Sequence, residues 1–168
     1  SPCQLIYQSG TGIYDLSISN NAVSSNSISS ALGATAKIYN SAAITNSLLL
    51  NSNYISANTN TTPATGDYFG IYNGATNTKY LSVNSNTFIG NSSFIQSGQT
   101  NLIYNTAVVS DVIQTNNNQL AYEFNNPIAP YSGPFHGIYT TNGTFSTQIE
   151  ANNNSFSNLQ YSQLSGLA

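Results

Sequence analysis

Residues 70–88, GIYNGATNTKYLSVNSNTF, hold the features that decide the fold. The stretch opens with Gly-Ile-Tyr and closes with Asn-x-Phe, in which Asn86 follows Ile71 by 15 residues. Between them, Leu81-x-Val83 alternates apolar and polar residues, the period of a β-strand with one buried face. Asparagine adopts the left-handed backbone region readily and bonds to neighbouring backbone. The stretch therefore predicts two short strands separated by a sharp turn at the asparagine.

The same two signatures recur along the whole chain. Ile-Tyr returns at steps of 32, 33, 32 and 35 residues, and the asparagine follows each isoleucine by 15, 15, 15, 15 and 16 residues. Two signatures that keep one phase through five copies indicate an internal repeat. The isoleucines are Ile6, Ile38, Ile71, Ile103 and Ile138, and the asparagines are Asn21, Asn53, Asn86, Asn118 and Asn154.

The repeat divides the chain into a short N-terminal stub, residues 1–4, and one domain, residues 5–168. Pro and Gly concentrate late in the repeats, at 59–66 and 125–134, which predicts loops there. The five repeats, of about 32 to 35 residues, are 5–36, 37–69, 70–101, 102–136 and 137–168.

A unit of this size cannot bury its own apolar strand faces, so the copies must stack on one another. A β-propeller is one solution, but its blades usually have ~40–50 residues and these repeats are shorter. In a parallel β-solenoid, equal repeat positions lie ~4.8 Å apart in neighbouring coils, and like residues form ladders. Because single residue types fill whole columns, the sequence predicts an all-β parallel β-solenoid of five coils, with helices only minor.

These motifs resemble those of the right-handed parallel β-helix family, whose loose repeat reads Gly-Ile-Tyr, an alternating strand and then Asn-Asn-x-Phe. The closest copies are residues 70–88 and 137–156. The resemblance implies right-handed winding and recurrent asparagine ladders. Since these repeats are longer than the family's usual coil, it also implies a third side with a protruding loop. Fold does not fix function in such proteins.

Composition excludes several functional classes. Charged residues make up 4% of the 168 residues, with 2 Lys+Arg and 5 Asp+Glu. Nucleic-acid binding depends on Lys and Arg that neutralise phosphates, and is therefore excluded as a partner class. No apolar run approaches the ~20 residues that span a bilayer, so the chain is not predicted to cross a membrane. With 39% hydrophobic residues, 12 Tyr and 7 Phe, the chain should fold.

The acidic residues do not predict a catalytic site. Parallel β-helix enzymes typically cleave acidic polysaccharides with clustered carboxylates, and glycoside hydrolysis needs two carboxyl groups about 5–9 Å apart. No two acids here share a repeat position, and arginine is absent. His136 has no second His or Cys at ligand spacing, so neither a metal nor another cofactor is expected. The acids are Asp15, Asp67, Asp111, Glu123 and Glu150.

Two columns offer weaker predictions. Lys79 and Asp111 both stand eight residues after their isoleucine, which predicts an ion pair between coils, worth ~0–1 kcal/mol if exposed. The tyrosine column could form a platform for sugars or a surface that faces ice. Packing along a strand is the preferred interpretation, and the scattered threonines argue against ice binding.

Modification sites are suggested by four Asn-x-Ser/Thr sequons, all predicted to lie in polar turns or loops. Asn60 is the favoured glycosylation site because it lies in a Thr/Pro segment. Cys3 is the single cysteine, so it forms no internal disulfide and is free, lipid-modified or paired between chains. The sequons are at Asn60, Asn91, Asn142 and Asn153.

The leading functional hypothesis is a non-enzymatic, extracellular or cell-surface structural protein. Monomeric solenoids end in atypical polar capping repeats, whereas these repeats run from residue 5 to residue 168. Exposed strand edges favour head-to-tail pairing with further copies of the chain, and hence a filament, a surface appendage or one segment of a longer fibre. The alternative is a carbohydrate-binding adhesin or tailspike-like module whose partner is a glycan. A polysaccharide-cleaving enzyme ranks third.

Overall fold

The structure, a computed structural model, describes residues 3–28, 33–64, 66–74, 78–95, 97–124, 132–140 and 148–161. Within these ranges the regular structure is entirely β. In chain order the strands are β1 (Cys3–Gln8), β2 (Ile13–Ser17), β3 (Ala22–Ser24), β4 (Ser27–Ile28), β5 (Thr35–Asn40), β6 (Ile44–Leu49), β7 (Tyr54–Ser56), β8 (Thr59–Ala64), β9 (Tyr68–Asn73), β10 (Thr78–Ser82), β11 (Thr87–Ile95), β12 (Thr100–Asn105), β13 (Val109–Gln114), β14 (Gln119–Phe124), β15 (Phe135–Thr140), β16 (Gln148–Glu150) and β17 (Ser155–Tyr161).

The strands form three walls of a parallel β-solenoid. Wall A has the order β1-β5-β9-β12-β15, wall B β2-β6-β10-β13-β16 and wall C β3-β7-β11-β14-β17. Every adjacent pair is parallel, and each wall takes one strand from each successive coil. β4 and β8 extend wall C beside the second half of β11. The predicted fold class is thereby confirmed.

The coil count and the first boundary differ in detail from the prediction. From β1 to β15 the chain completes about four turns, and the described part of the fifth coil comprises residues 135–140 and 148–161. β1 begins at Cys3, which pairs with Thr35, so Cys3 and Gln4 belong to the first coil and not to a stub. The right-handed winding stays a prediction.

Wall A aligns the repeats in the register that the Ile-Tyr motif predicts. Its isoleucines face the interior, where Ile38, Ile71 and Ile103 are at most 2% exposed. Walls B and C contribute columns that include Leu48 and Ile55, both completely buried. Full burial of such a side chain stabilises by ~1.5–3 kcal/mol, so the three inner columns are the main source of stability. The register partners in wall A run Ile6, Ile38, Ile71, Ile103, Ile138.

The corner between walls B and C corrects one detail of the predicted turn. The left-handed residue is the one before the column asparagine, and it is a serine or another asparagine. The column asparagine itself is buried in the inner coils and makes hydrogen bonds between coils. The left-handed residues are Asn20 (φ 59°), Ser52 (φ 56°), Ser85 (φ 58°), Asn117 (φ 57°) and Asn153 (φ 55°).

A second corner of the same design follows five residues later. Here Ser25, Ala57 and Gly90 take φ values of 56°, 51° and 61°, and each precedes another asparagine. The predicted loop at 59–66 is wrong over its first part, because β8 occupies Thr59–Ala64. Polar composition suggested a loop, but the threonines of this strand lie next to a parallel partner in β11. The predicted loop at 125–134 lies mostly outside the described residues.

Side-chain volume is exchanged across the interior within single coils. A Cβ on Gly70 would overlap Cε1 of Phe88, and one on Gly137 would overlap Cε1 of Phe156. In the fourth coil the corresponding residues are Leu102 and Leu120, both fully buried. A glycine on wall A therefore accompanies a phenylalanine on wall C. This packing is the physical reason for the Gly-Ile-Tyr and Asn-x-Phe pairing in the third and fifth repeats.

Candidate functional site

The predicted asparagine column forms a continuous hydrogen-bonded ladder at the first corner. Oδ1 of Asn86 accepts the backbone N–H of Asn53 (2.9 Å) and its Nδ2 (3.1 Å). Nδ2 of Asn86 donates to Oδ1 of Asn118 (3.1 Å) and to the carbonyl of Leu50 (2.8 Å). Asn53, Asn86 and Asn118 are at most 1% exposed. Each inner amide therefore joins three coils.

Two further ladders run along the solenoid, and the sequence prediction missed both. Nδ2 of Asn58 donates to Oδ1 of Asn91 (2.9 Å) at the second corner, where Asn91 is completely buried in β11. Nδ2 of Asn40 donates to Oδ1 of Asn73 (2.9 Å) at the end of wall A. Both had a regular sequence signal: an asparagine 20 residues after the isoleucine in three repeats, and the tripeptide Ile-Tyr-Asn in three. The members are Asn26, Asn58 and Asn91 for one and Asn40, Asn73 and Asn105 for the other.

The last coil exposes the inner columns. Ile149 is 57% exposed, although its register partner Ile113 is 1% exposed. Phe156 is 51% exposed, although its partner Leu120 is fully buried. In the inner coils these columns are covered by the coil above. At this end of the described chain, the apolar core therefore opens towards solvent.

The tyrosines form a row on the outer face of wall A. The rings of Tyr39 and Tyr72 are nearly parallel (4°) with centroids 4.6 Å apart, and those of Tyr104 and Tyr139 are parallel within 7° at 5.0 Å. Such stacking covers each inner ring face with a neighbouring ring. Only the ring edges and hydroxyls of the inner tyrosines face outwards. The row therefore presents a line of hydroxyls, while Tyr7, 54% exposed, offers the most open ring.

Ring packing also affects the acidity of this row. Burial, and then the neighbouring phenols Tyr72 and Tyr7, raise the pKa of Tyr39. Burial likewise raises the pKa of Tyr104, with smaller contributions from Tyr139, Tyr72 and Asp67. The row is therefore held in its neutral, hydroxylated form through the physiological range.

A groove of about 420 Å³ crosses the corner between walls A and B. Its lining comes from four successive coils, including Gly12, Thr45, Thr78 and Ser110, so it runs along the solenoid. Lys79 supplies the cationic group in this lining. Thr78 is 1% exposed, and its hydroxyl has no hydrogen-bond partner among the described residues. The groove combines hydroxyls, a cation and small apolar side chains, a surface suited to a polar, elongated ligand.

The carboxylates are dispersed. Asp15 is exposed in the first coil, where hydrogen bonds from Ser47 and Asn46 lower its pKa. Asp67 accepts the backbone N–H of Gln99 (2.8 Å), and Glu150 accepts Nε2 of Gln114 (2.9 Å). Each of these carboxylates is engaged by amides or hydroxyls of a neighbouring coil. Among the strands described, no acid has another acid as its register partner, and Glu123 pairs with Ser92.

The predicted pair of Lys79 and Asp111 falls at an irregularity in wall B. Thr78 pairs with Val109 but Tyr80 pairs with Val112, so Lys79 faces the two-residue step at 110–111. Asp111 is therefore near Lys79 but not its simple vertical neighbour, and the ion pair stays a prediction. The equal spacing from the isoleucines could not reveal the extra residue in β13.

Lys37 and His136 have structural surroundings. Lys37 is completely buried, and its Nζ lies 5.5 Å from the ring centroid of Tyr68, within cation–π range. Nδ1 of His136 lies 2.8 Å from Oδ1 of Asn101, and its ring packs 4.6 Å from that of Tyr139. In the part of the chain that the structure describes, no three His, Cys, Asp or Glu side chains group as metal ligands.

The sequons lie in different surroundings from those predicted. Asn91 is completely buried in a ladder, so its assignment to a loop is wrong and its side chain is inaccessible to a glycan in the folded protein. Asn60 lies in β8 and Asn153 in the exposed first corner of the last coil. Asn142 lies outside the described residues. Glycosylation of the other sites stays a prediction.

No helix among the described residues has the length and apolar character to span a membrane. Comparison with known proteins gives no match to a family model, to a curated protein or to a solved structure. The function is therefore inferred from the geometry of this chain alone.

Proposed function

We propose that the protein is a non-enzymatic structural subunit, acting outside the cell or at its surface, that stacks end to end into a filament or appendage. One observation carries the proposal: Ile149 and Phe156 are about half exposed at the last coil, while the same columns are buried elsewhere. A further coil of the same kind would cover both side chains. A second copy of the chain provides such a coil.

The energetic argument favours association. Covering a half-exposed isoleucine or phenylalanine contributes about 1 kcal/mol, half of the ~1.5–3 kcal/mol for complete burial. The edges of three parallel sheets add backbone hydrogen bonds, each worth ~0.5–1.5 kcal/mol net. Head-to-tail contacts between parallel coils do not close on themselves, so they produce filaments of open length and not closed oligomers.

The non-enzymatic part of the proposal draws on the dispersed, amide-bound carboxylates. A hydrolytic pair would need two carboxyl groups ~5–9 Å apart across a cleft. The acids Asp15 and Glu150 instead lie in the first and last coils of wall B. The surface of amides and hydroxyls titrates little, which suits an environment of variable pH.

Negative-stain electron microscopy tests the proposal. The wild-type protein should form filaments, and the double substitution Ile149→Ser/Phe156→Ser should shorten or abolish them. Ile89→Ser is the matched control, because Ile89 is 48% exposed but lies on the side of a middle coil. Filaments that survive the end-coil substitutions, or that Ile89→Ser abolishes equally, would contradict the proposal.

The groove supports a second candidate, binding of an anionic or neutral glycan along the solenoid. Its length across four coils and its hydroxyl lining favour a chain of sugars. The tyrosine row supports this less directly, since its inner ring faces are covered by one another. A glycan array with wild-type protein and Lys79→Ala tests this function. Selective binding that Lys79→Ala weakens would support it, and absence of binding would contradict it.

A further inference from the structure

The ladder at the first corner has a fixed chemical direction. In each coil the backbone N–H and Nδ2 of the asparagine donate to Oδ1 of the asparagine in the next coil. For Asn118 these distances to Oδ1 of Asn154 are 3.0 and 2.9 Å. Asn21 is the first member and Asn154 the last among the described residues. One end therefore presents an amide oxygen that accepts, and the other presents N–H groups that donate.

The first member shows what happens without a preceding coil. Nδ2 of Asn53 donates back to the carbonyl of Ile18 in the coil before it (2.9 Å), as the inner members do. Nδ2 of Asn21 instead donates to Ser19 of its own coil, at 3.3 Å. The hydrogen bond that joins coils elsewhere is thus replaced at this end by a longer local one. The site has the same amide as the inner sites but lacks their second coil.

An outer ladder, two residues earlier in each coil, runs in the opposite direction. The N–H of Asn84 donates to Oδ1 of Asn51 (2.7 Å), and that of Asn116 to Oδ1 of Asn84 (2.7 Å). The N–H of Asn152 donates to Oδ1 of Asn116 (2.8 Å). Here each later coil donates to the earlier one. The last coil therefore presents an accepting oxygen on Asn152 beside the donors of Asn154.

We propose that two copies join head to tail by continuing both ladders. Asn154 of one copy donates to Oδ1 of Asn21 of the next, while Oδ1 of Asn152 accepts the N–H of Ser19, which takes the repeat position of Asn51 and Asn84. This junction deepens the proposed function, on which it rests, by fixing the partner, the polarity and the register. Contact between two identical ends would place donors against donors in one ladder and acceptors against acceptors in the other. The opposed ladders thus select a polar filament.

Continuation of the ladders fixes the neighbours across the junction. In wall C the register column runs from Ala22 through Tyr54, Thr87 and Gln119 to Ser155. The next residue in this column is Ala22 of the following copy. Neighbouring strands lie ~4.8 Å apart, so the two Cα atoms fall within the ~4.4–6.8 Å that a disulfide spans.

Cysteine cross-linking tests this register. In a Cys3→Ser background, Ala22→Cys/Ser155→Cys is the matched pair, and Ala22→Cys/Ser157→Cys is the control. Residue 157 lies on the same strand face but two positions out of register, which separates the Cα atoms by about 8 Å. All three positions are exposed, so mild oxidation reaches each. Products are counted on non-reducing gels, and sedimentation of the reduced proteins measures assembly separately.

The expected result is a series of covalent dimers, trimers and longer multimers, several-fold more abundant for the matched pair than for the control. Assembly of the reduced protein without this preference, or with preference for the shifted pair, would overturn the proposed junction and leave self-assembly intact. A reduced protein that remains monomeric would overturn both the junction and the proposed function.

Discussion

Oδ1 of Asn86 accepts two hydrogen bonds from Asn53, one from its backbone N–H (2.9 Å) and one from its side-chain amide (3.1 Å). The same side chain donates to Asn118 in the following coil and to the carbonyl of Leu50 in the preceding one. A completely buried amide has no water to replace these partners. This relationship makes the ladder a source of coil-to-coil cohesion as well as a corner.

The first prediction compares two asparagines of that ladder. Asn86→Ala leaves buried donors and acceptors unsatisfied in the adjacent coils and should lower the free energy of unfolding by about 1–3 kcal/mol. Asn21→Ala should cost clearly less, because Asn21 is partly exposed and bonds to a single neighbouring coil. Chemical denaturation of the two variants, each measured as a monomer, makes the comparison. Equal losses would mean that the ladder acts only as a surface turn.

Periodicity predicted the fold because identical columns were visible along the sequence. The Ile, Tyr and Asn columns each keep one residue type, and stacking at ~4.8 Å is what makes such uniformity favourable. The ladder through Asn91 was missed for a physical reason. In a chain with 26 asparagines, an inward-facing asparagine and a loop asparagine have the same composition around them. Only the hydrogen bonds between coils distinguish them.

The second prediction concerns the exchange of volume between Gly70 and Phe88. Gly70→Leu alone should lower stability by at least ~1–3 kcal/mol, because the new side chain overlaps the phenyl ring. Adding Phe88→Leu should restore most of the loss, since the fourth coil already packs Leu102 with Leu120. Thermal melts of the single and double variants measure the effect. A double variant no better than Gly70→Leu would contradict the packing relationship.

The third prediction concerns the second corner. Ala57 takes a left-handed φ of 51° that glycine adopts more easily, whereas Gly90 takes 61° at the corresponding position of the next coil. Ala57→Gly should raise the free energy of unfolding and Gly90→Ala should lower it, each by roughly 0.5–1 kcal/mol. A Cβ on Gly90 approaches no atom closer than 3.9 Å, so the change tests conformation and not packing. Urea titration of both variants should show midpoint shifts of opposite sign; shifts of the same sign would disagree with the corner geometry.

The fourth prediction concerns pH. Burial raises the pKa of Tyr68, and burial with neighbouring phenols raises those of Tyr39 and Tyr104, from an ordinary value of 10.0. Above this value the unfolded chain releases these protons first, so the free energy of unfolding falls as pH rises. The lowered pKa of Asp15 acts in the opposite sense, adding stability that is lost as pH falls below about 3.8.

Stability should therefore be nearly constant between about pH 5 and pH 9 and should decline in alkali. Denaturation midpoints across a pH series measure this profile. Tyr68→Phe removes a fully buried phenol and should reduce the alkaline decline. An equally steep decline in this variant would show that the buried phenol does not cause it.

The candidate site was less accessible to sequence analysis than the fold. Ile149 and Phe156 belong to the same columns as buried residues, and nothing in their sequence environment marks their exposure. The shift that separates Lys79 from the position of Asp111 arises from one extra residue in the pairing of β13. Both features depend on where coils meet or end. The sequence pattern describes positions within a coil and therefore could not reveal them.

Sedimentation velocity of the wild-type protein over a wide range of concentrations tests the central claim, open-ended self-assembly, most directly. Since a head-to-tail contact does not close, the account predicts a sedimentation coefficient that keeps rising with concentration, without a plateau at a dimer or other closed oligomer. A single species of monomer mass at every concentration would contradict it.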